Sequence, residues 1–412
     1  MSTQPPKSVE ITDVRHIKVH GSKDTYCGHP RQGGILNFGS GELAVIHNHA
    51  PCAYKKPEDV YHDEFGYHGR SVVLLQRSLD NGETWPEELN VQIWAEEASL
   101  EERRRHLFPE EHTRQQIDMA CPASVFFFGR SWCGEEQPDG SHRLICFALR
   151  SADKGRTWED VPTVIPPPPH LEVVHKDNHP VVRMPDGSFL GAMSGGGGSV
   201  PGQVLLYGSD DDGLTWEYLA EIARDPTGDG RPTYAGLLLL PSGRLLCFVV
   251  QIGGQGNFVG MNYSDDGGYS WSQVVPIVRW GQSPWRSRQE AGPREAREQA
   301  NSGGAWALWR DRPWKLYRSP WPLLLRDGRI LVLFTRRKPP YGIGGLVSED
   351  AGQTWSREFV IRHDASTPDI GYPVATELGD GRIFAAYYYT LEDGSRFGGA
   401  RFIAGSFFRI KG

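Results

Sequence analysis

Residues able to do chemistry recur at comparable places along the chain, at the starts and ends of short apolar runs. They are His29 and Arg31, then His47 and His49, and a loop carrying Asp59, His62, Asp63, Tyr67, His68 and Arg70. Further on come His175 and His179, then Arg231, Tyr234 and Gln251, then Arg318, Trp321, Arg336 and Arg337, and last Asp369 and Tyr372. Histidines and carboxylates at one place can move protons, guanidinium groups can hold an anion with paired donors, and phenols can donate or attack. His47-x-His49 would also put two imidazoles on one face of a strand, where His179 could join them as metal ligands. Seven of the 14 histidines (29, 47, 49, 62, 68, 175 and 179) belong to this set, which is an unusual concentration.

The apolar runs must bring these residues together. Six segments share one plan: a run, a Gly turn, a second run, a loop and a third run. The fourth segment, for example, reads YAGLLLL, Pro241-Ser242-Gly243, RLLCFVVQ, then FVGMNYS. If first runs start at one face and second runs return to it, their ends converge on one mouth. The third run of five segments leads into Ser-x-Asp-x-Gly-x-x-Trp: Ser78 to Trp85, Ser151 to Trp158, Ser209 to Trp216, Ser264 to Trp271 and Ser348 to Trp355. In each copy the Asp can accept from backbone N–H groups of its own turn, the Gly supplies a positive φ, and the Trp buries a large apolar body.

This phrase resembles the Asp-box of the sialidase-like β-propellers. The resemblance implies an all-β, six-bladed propeller as a single domain over residues 1–412, with the boxes on turns facing away from the active site. The sixth segment ends without a box or a fourth strand. The alternating VEITDVRHIKVH near the amino terminus is therefore expected to close the last blade and remove a free sheet edge. Residues 96–116 and 281–312 break the plan and read as insertions, the first highly charged and partly helical.

Carried over residue by residue, the resemblance puts Arg31 at the family's first carboxylate-binding arginine, Arg318 at a second, and Tyr372 at its nucleophilic tyrosine. Asp59 or Asp63 would be the acid. The pattern departs at Gln251, which stands near the family's glutamate and cannot act as a base, and at His47-Asn48-His49, which replaces an arginine. Arg70, Arg231, Arg336, Trp321 and His29 complete the expected substrate-binding set.

Three functions fit this reading. One is an exo-glycosidase releasing a terminal acidic sugar. Another is a polysaccharide lyase or histidine-dependent glycosidase, in which His47, His49 or His179, or else Tyr372, would act on a uronate-containing glycan. The third is a glycan-binding propeller without catalysis. The two enzymatic readings take an acidic oligosaccharide or glycoconjugate as partner, and no cofactor is expected. The net charge of −7 gives no basic face for nucleic acid. No apolar run reaches membrane-spanning length, and the start MSTQPPKSVEITD lacks the features of a secretory signal, which leads to the expectation of a cytoplasmic protein, with a secreted mature form as the alternative. The six cysteines are scattered without a CxxC pair and are expected to be free thiols.

Overall fold

The computed structural model describes residues 6–30, 33–175, 180–197, 200–279 and 317–411. Among these the strands pair almost entirely antiparallel, in five hydrogen-bonded sheets. Three of them follow the repeated plan in chain order. One is built on Phe189–Gly197 and Val200–Ser209, the next on Gly230–Leu239, Leu245–Gly253, Phe258–Ser264 and Val275–Arg279, and the third on Tyr317–Leu324, Ile330–Arg336, Gly342–Ser348 and Phe359–Arg362. The second segment supplies only Val125–Glu136, His142–Ser151 and Thr163–Ile165, because its earlier stretch runs as turns.

The fifth sheet has nine strands and joins the two ends of the chain. Its link is a single parallel bridge between Tyr26 and Arg401. The amino-terminal strand Ile11–His20 pairs antiparallel along Arg401–Ile410, from Ile11 opposite Ile410 to His20 opposite Ile403. It thus takes the fourth place beside Gly371–Glu377, Ile383–Thr390 and Arg401–Ile410, as the alternation in the sequence led one to expect.

All five boxes fold alike. In the first, the Ser78 hydroxyl donates to Asp80 Oδ1 (2.7 Å) and accepts from Gly82 N (2.8 Å). Asp80 in turn accepts from Thr84 N and from the Thr84 hydroxyl at 2.9 and 2.6 Å. Asp153, Asp211, Asp266 and Asp350 repeat these bonds. Each box then packs on the sheet before it. A Cβ on Gly155 would lie 2.6 Å from Leu75, one on Gly213 2.3 Å from Phe126, one on Gly268 2.4 Å from Leu206, and one on Gly352 3.1 Å from Met261. The first box packs on the last segment, with Trp85 stacked on Phe384 at 5.7 Å between centroids. The order of sheets therefore returns on itself, as in a propeller.

The insertion at 96–116 contains the helix Leu100–Leu107, started by a reciprocal Ser99–Glu102 capping box. Arg103 and Arg104 anchor it to the carbonyls of Trp132 (2.9 Å) and Cys133 (2.8 Å). The whole of the insertion expected at 281–312 lies outside the described residues, which leave out 280–316. No helix among the described residues is long and apolar enough to cross a membrane.

Candidate active site

Three first strands carry the same irregularity. The register slips between Thr233 and Gly236, between Arg318 and Trp321, and between Gly371 and Val374. At each slip one residue takes a left-handed backbone: Tyr234 (φ 55°), Ser319 (φ 47°) and Tyr372 (φ 55°). Such bulges re-aim side chains, and strained backbone of this kind gathers at functional sites. Gly371 shows how tightly the last one is held. Its φ is +126°, and a Cβ there would lie 2.1 Å from Thr335 Oγ1, the atom that accepts from Tyr372 N at 3.2 Å.

The bulges bring Tyr372 and Tyr234 together. The Tyr372 hydroxyl donates to that of Tyr234 at 3.0 Å, and the rings meet edge to face. Two buried guanidinium groups stand over these rings: Arg318 at 5.1 Å from the Tyr234 centroid and Arg337 at 5.9 Å from that of Tyr372. Arg337 is held by the Ile370 carbonyl (3.1 and 2.9 Å) and the Tyr388 hydroxyl (2.6 Å). Arg318 is only 3% exposed, yet among the described residues it donates just one long bond, to the Tyr317 carbonyl at 3.4 Å. Among the described residues no carboxylate pairs with it. Burial pulls the Arg318 guanidinium below its usual value, and the positive charges of Arg337 and Arg231 add to this. Burial likewise pushes the Tyr372 phenol well above its usual value, Tyr234 adding to the effect and Arg337 opposing it.

Behind the tyrosines lies a buried carboxylate, Asp369. It accepts from the hydroxyls of Tyr26 (2.8 Å) and Tyr388 (2.9 Å) and from Arg401 Nε (3.0 Å), and His62 Nε2 lies 3.2 Å away. Burial opposes its ionisation, but His62 and Arg401 outweigh that and hold it well below the usual carboxylate range. His62 also lies 2.7 Å from the Tyr26 hydroxyl and keeps 17% of its side chain exposed. His29, itself left-handed (φ 57°), is wedged between Tyr372 (4.5 Å, edge to face) and Tyr67, whose hydroxyl bonds its Nδ1. Burial first, then the neighbouring His62 and Arg130, hold His29 well below the usual imidazole value, so the ring is neutral. His68 completes the row, bonded through Nε2 to Tyr67 and Arg130 at 3.1 Å each.

Of the residues expected at the mouth, the structure brings together Tyr372, Arg318 and His29, with Arg231 exposed and close enough for its charge to act on Arg318. Others are placed differently. Trp321 is buried, and its indole N–H donates to the Ala375 carbonyl (2.9 Å), because the slip after Arg318 turns it into the core. Arg336 forms a buried ion pair with Glu358 (3.2 Å), and it is the next residue, Arg337, that reaches Tyr372. The Gln251 amide is spent on Asp225 and the Gly253 carbonyl. Asp59 ties its own turn by accepting from Lys55 N (2.8 Å) and Lys56 N (3.3 Å), with Arg70 standing 3.9 Å from it. Asp63 is exposed. His47 and His49 lie apart from the tyrosines, facing His20 and Cys27. Arg31 and His179 fall outside the described residues. Of the assembly of His62, Asp369, Tyr388 and Arg337, sequence reasoning places His62, Arg337 and Asp369 at segment ends and misses Tyr388, which lies inside the strand Ile383–Thr390.

The pattern of a family described as BNR repeat-like domain matches residues 94–385. No curated protein matches the chain. Among solved structures, a protein of unknown function from Dyadobacter fermentans is similar over 97% of this chain and 99% of its own, at 20% identity and TM-score 0.67. A Trypanosoma rangeli sialidase in complex with the inhibitor DANA is similar at 12% identity and TM-score 0.56, over 97% of this chain and 60% of its own. The Hadza microbial sialidase Hz136 is similar at 15% identity and TM-score 0.55, over 93% and 65%. At such identities the likeness is one of fold. The chain spans about two thirds or less of each sialidase's length.

Proposed function

This chain belongs to the family of BNR repeat-like domains, and we propose that it is a single six-bladed propeller acting as a glycoside hydrolase that releases a terminal acidic sugar. The observation that carries the reading is Arg318, a buried guanidinium beside the Tyr372–Tyr234 hydroxyl pair that lacks a carboxylate partner among the described residues. A buried cation without an anion is costly unless a ligand supplies one. The carboxylate of an acidic sugar would do so in a bidentate contact, with Arg231 at the rim.

With the carboxylate held there, the anomeric carbon would face the Tyr372 oxygen. Tyr372 would pass its proton through the Tyr234 hydroxyl to solvent and form a bond to the anomeric carbon as the bond to the leaving oxygen breaks. His62, 3.2 Å from Asp369, would in its protonated form give its proton to that oxygen. Water would then cleave the tyrosyl–sugar bond, its hydroxyl staying on the sugar and its other proton going to Tyr372, while His62 regains from solvent the proton it gave. The Arg318 and Arg337 charges favour the phenolate that develops on the way.

The test is a panel of sialylated and glucuronate-containing glycans, followed both for free acidic sugar and for the ultraviolet absorbance of an unsaturated uronate. Release of free sugar without new absorbance, abolished in Tyr372→Phe, supports the reading. New absorbance would replace hydrolysis by elimination, and binding without either signal would leave a glycan-binding propeller.

A further inference from the structure

A second cluster of chemistry-bearing side chains lies where the two ends of the chain meet. Cys27 and His49 are direct partners across the antiparallel pair of strands Thr25–Gly28 and Glu42–Pro51, so their side chains share a face. His20 ends the amino-terminal strand and is followed by Gly21, whose φ of +122° turns the chain close over Cys27. One ligand atom from each of His20, Cys27 and His49 lies within 4.8 Å of the other two. His20 Nε2 is 3.1 Å from His49 Nδ1, and Cys27 Sγ is 3.6 Å from the same nitrogen.

We propose that His20, Cys27 and His49 bind a zinc ion, that His47, which stands outside their 4.8 Å group in this structure, closes on the ion as the fourth ligand, and that this site fastens the amino-terminal strand to the first segment. The spacing fits. With Zn–N of about 2.05 Å and Zn–S of about 2.3 Å in a tetrahedron, two ligand nitrogens stand about 3.3 Å apart and a nitrogen and sulfur about 3.6 Å.

The fourth donor rests on a separate observation. His47 Nδ1 is 2.9 Å from the Asn48 carbonyl, which can only accept, so Nδ1 carries the hydrogen. That leaves Nε2 as a bare lone pair, and this atom is buried with no hydrogen-bond partner. His47 is 1% exposed and its ring lies 5.4 Å from that of His20. A buried, unpaired acceptor costs free energy that a metal ion would recover. The carbonyl bond also orients the ring in the way second-shell partners orient metal-bound histidines.

The donor set of one thiolate and imidazoles favours a borderline-soft ion over calcium or magnesium. His20 and His49 are only half-buried, which leaves a path for the ion. Glu87 and Glu97 add negative charge close to His49. On binding, the Cys27 thiol releases its proton to solvent. The proton shared by His20 and His49 moves to a ring nitrogen facing away from the ion, so one proton is released per zinc.

The experiment is a Co2+ titration of chelator-treated full-length protein, followed by its thiolate-to-cobalt charge-transfer absorption and by metal content after dialysis. One Co2+ per chain with that absorption, displaced by Zn2+, is expected. The signal should vanish in Cys27→Ser and His49→Gln, and it should persist in Cys121→Ser, which removes the exposed thiol. His20→Gln, altered at the end of an outer strand, gives a second reading should Cys27→Ser not fold. Zn2+ should raise the melting temperature of the wild type but not of His20→Gln. Absence of the absorption in the wild type, or its survival in Cys27→Ser or His20→Gln, would overturn the proposal.

Discussion

Replacing Arg318 by methionine should make the protein more stable and a worse catalyst. The guanidinium is buried and, among the described residues, is bonded only at 3.4 Å to one carbonyl, so its desolvation is borne there without a paired anion. An apolar side chain of similar length removes that cost, which for buried charges is about 1–4 kcal/mol. Folded proteins lose about 2.1 cal/mol/K of entropy per residue, so each 1 kcal/mol moves the midpoint of 412 residues by roughly 1 °C. Calorimetry should then find the variant's melting temperature higher by about 1–4 °C. A bidentate carboxylate contact comprises two hydrogen bonds to a charged group at about 1.5–3 kcal/mol each. Its loss should lower kcat/KM by about 100-fold or more, since 1.36 kcal/mol is a factor of ten. The control is the methyl ester of the same substrate, which has no carboxylate to lose. Wild type should prefer the acid strongly and Arg318→Met should treat the two alike. A lower melting temperature together with an equal loss on acid and ester would mean that Arg318 is a structural residue, and the argument from its missing partner would fail.

Three further outcomes follow from the geometry. His62→Gln should slow substrates with poor leaving groups by about 100-fold more than activated aryl glycosides, whereas Asp63→Asn, altering an exposed side chain, should leave that ratio unchanged. His29 stays neutral in the fold at pH values where a free imidazole, with its value of 6.5, is protonated. The unfolded chain therefore binds more protons there, so stability should fall as pH drops below 6.5, and His29→Gln should flatten that slope in denaturant titrations at pH 7 and pH 5.5 (about one unit below the imidazole value). Gly213→Ala would drive a methyl group to 2.3 Å from the Phe126 ring and strain a φ of +80°, so it should cost about 2–4 kcal/mol, read as a melting temperature lower by about 2–4 °C.

The box phrases were legible because each residue in them acts within its own turn, and the same bonds appear at Asp80, Asp153, Asp211, Asp266 and Asp350. The pairing of Ile11–His20 with Arg401–Ile410 was legible for a related reason: one segment lacked a strand and one strand lacked a segment. The site was legible at the level of segment ends and lost below it. These sheets are buried on both faces, so apolar alternation does not say which of two neighbours points to the mouth. Arg336 and Arg337 are such a pair, and sequence reasoning favoured the wrong member. The slip between Arg318 and Trp321 reverses parity within one strand, which sends Arg318 toward Tyr234 and Trp321 into the core. The Asp369 hub draws on Tyr26, His62, Tyr388 and Arg401, residues whose proximity depends on the two chain ends sharing a sheet. No local pattern encodes that.

The central claim is that the Tyr372 oxygen takes the sugar. The direct measurement is mass spectrometry of the protein after brief exposure to a fluorinated acidic glycosyl fluoride, a reagent that forms the tyrosyl–sugar bond quickly and hydrolyses it slowly. One sugar should be added per chain, mapped by peptide sequencing to Tyr372 and absent from Tyr372→Phe. Steady turnover of acidic substrates by wild type with no adduct on Tyr372, or by Tyr372→Phe at an undiminished rate, would contradict it.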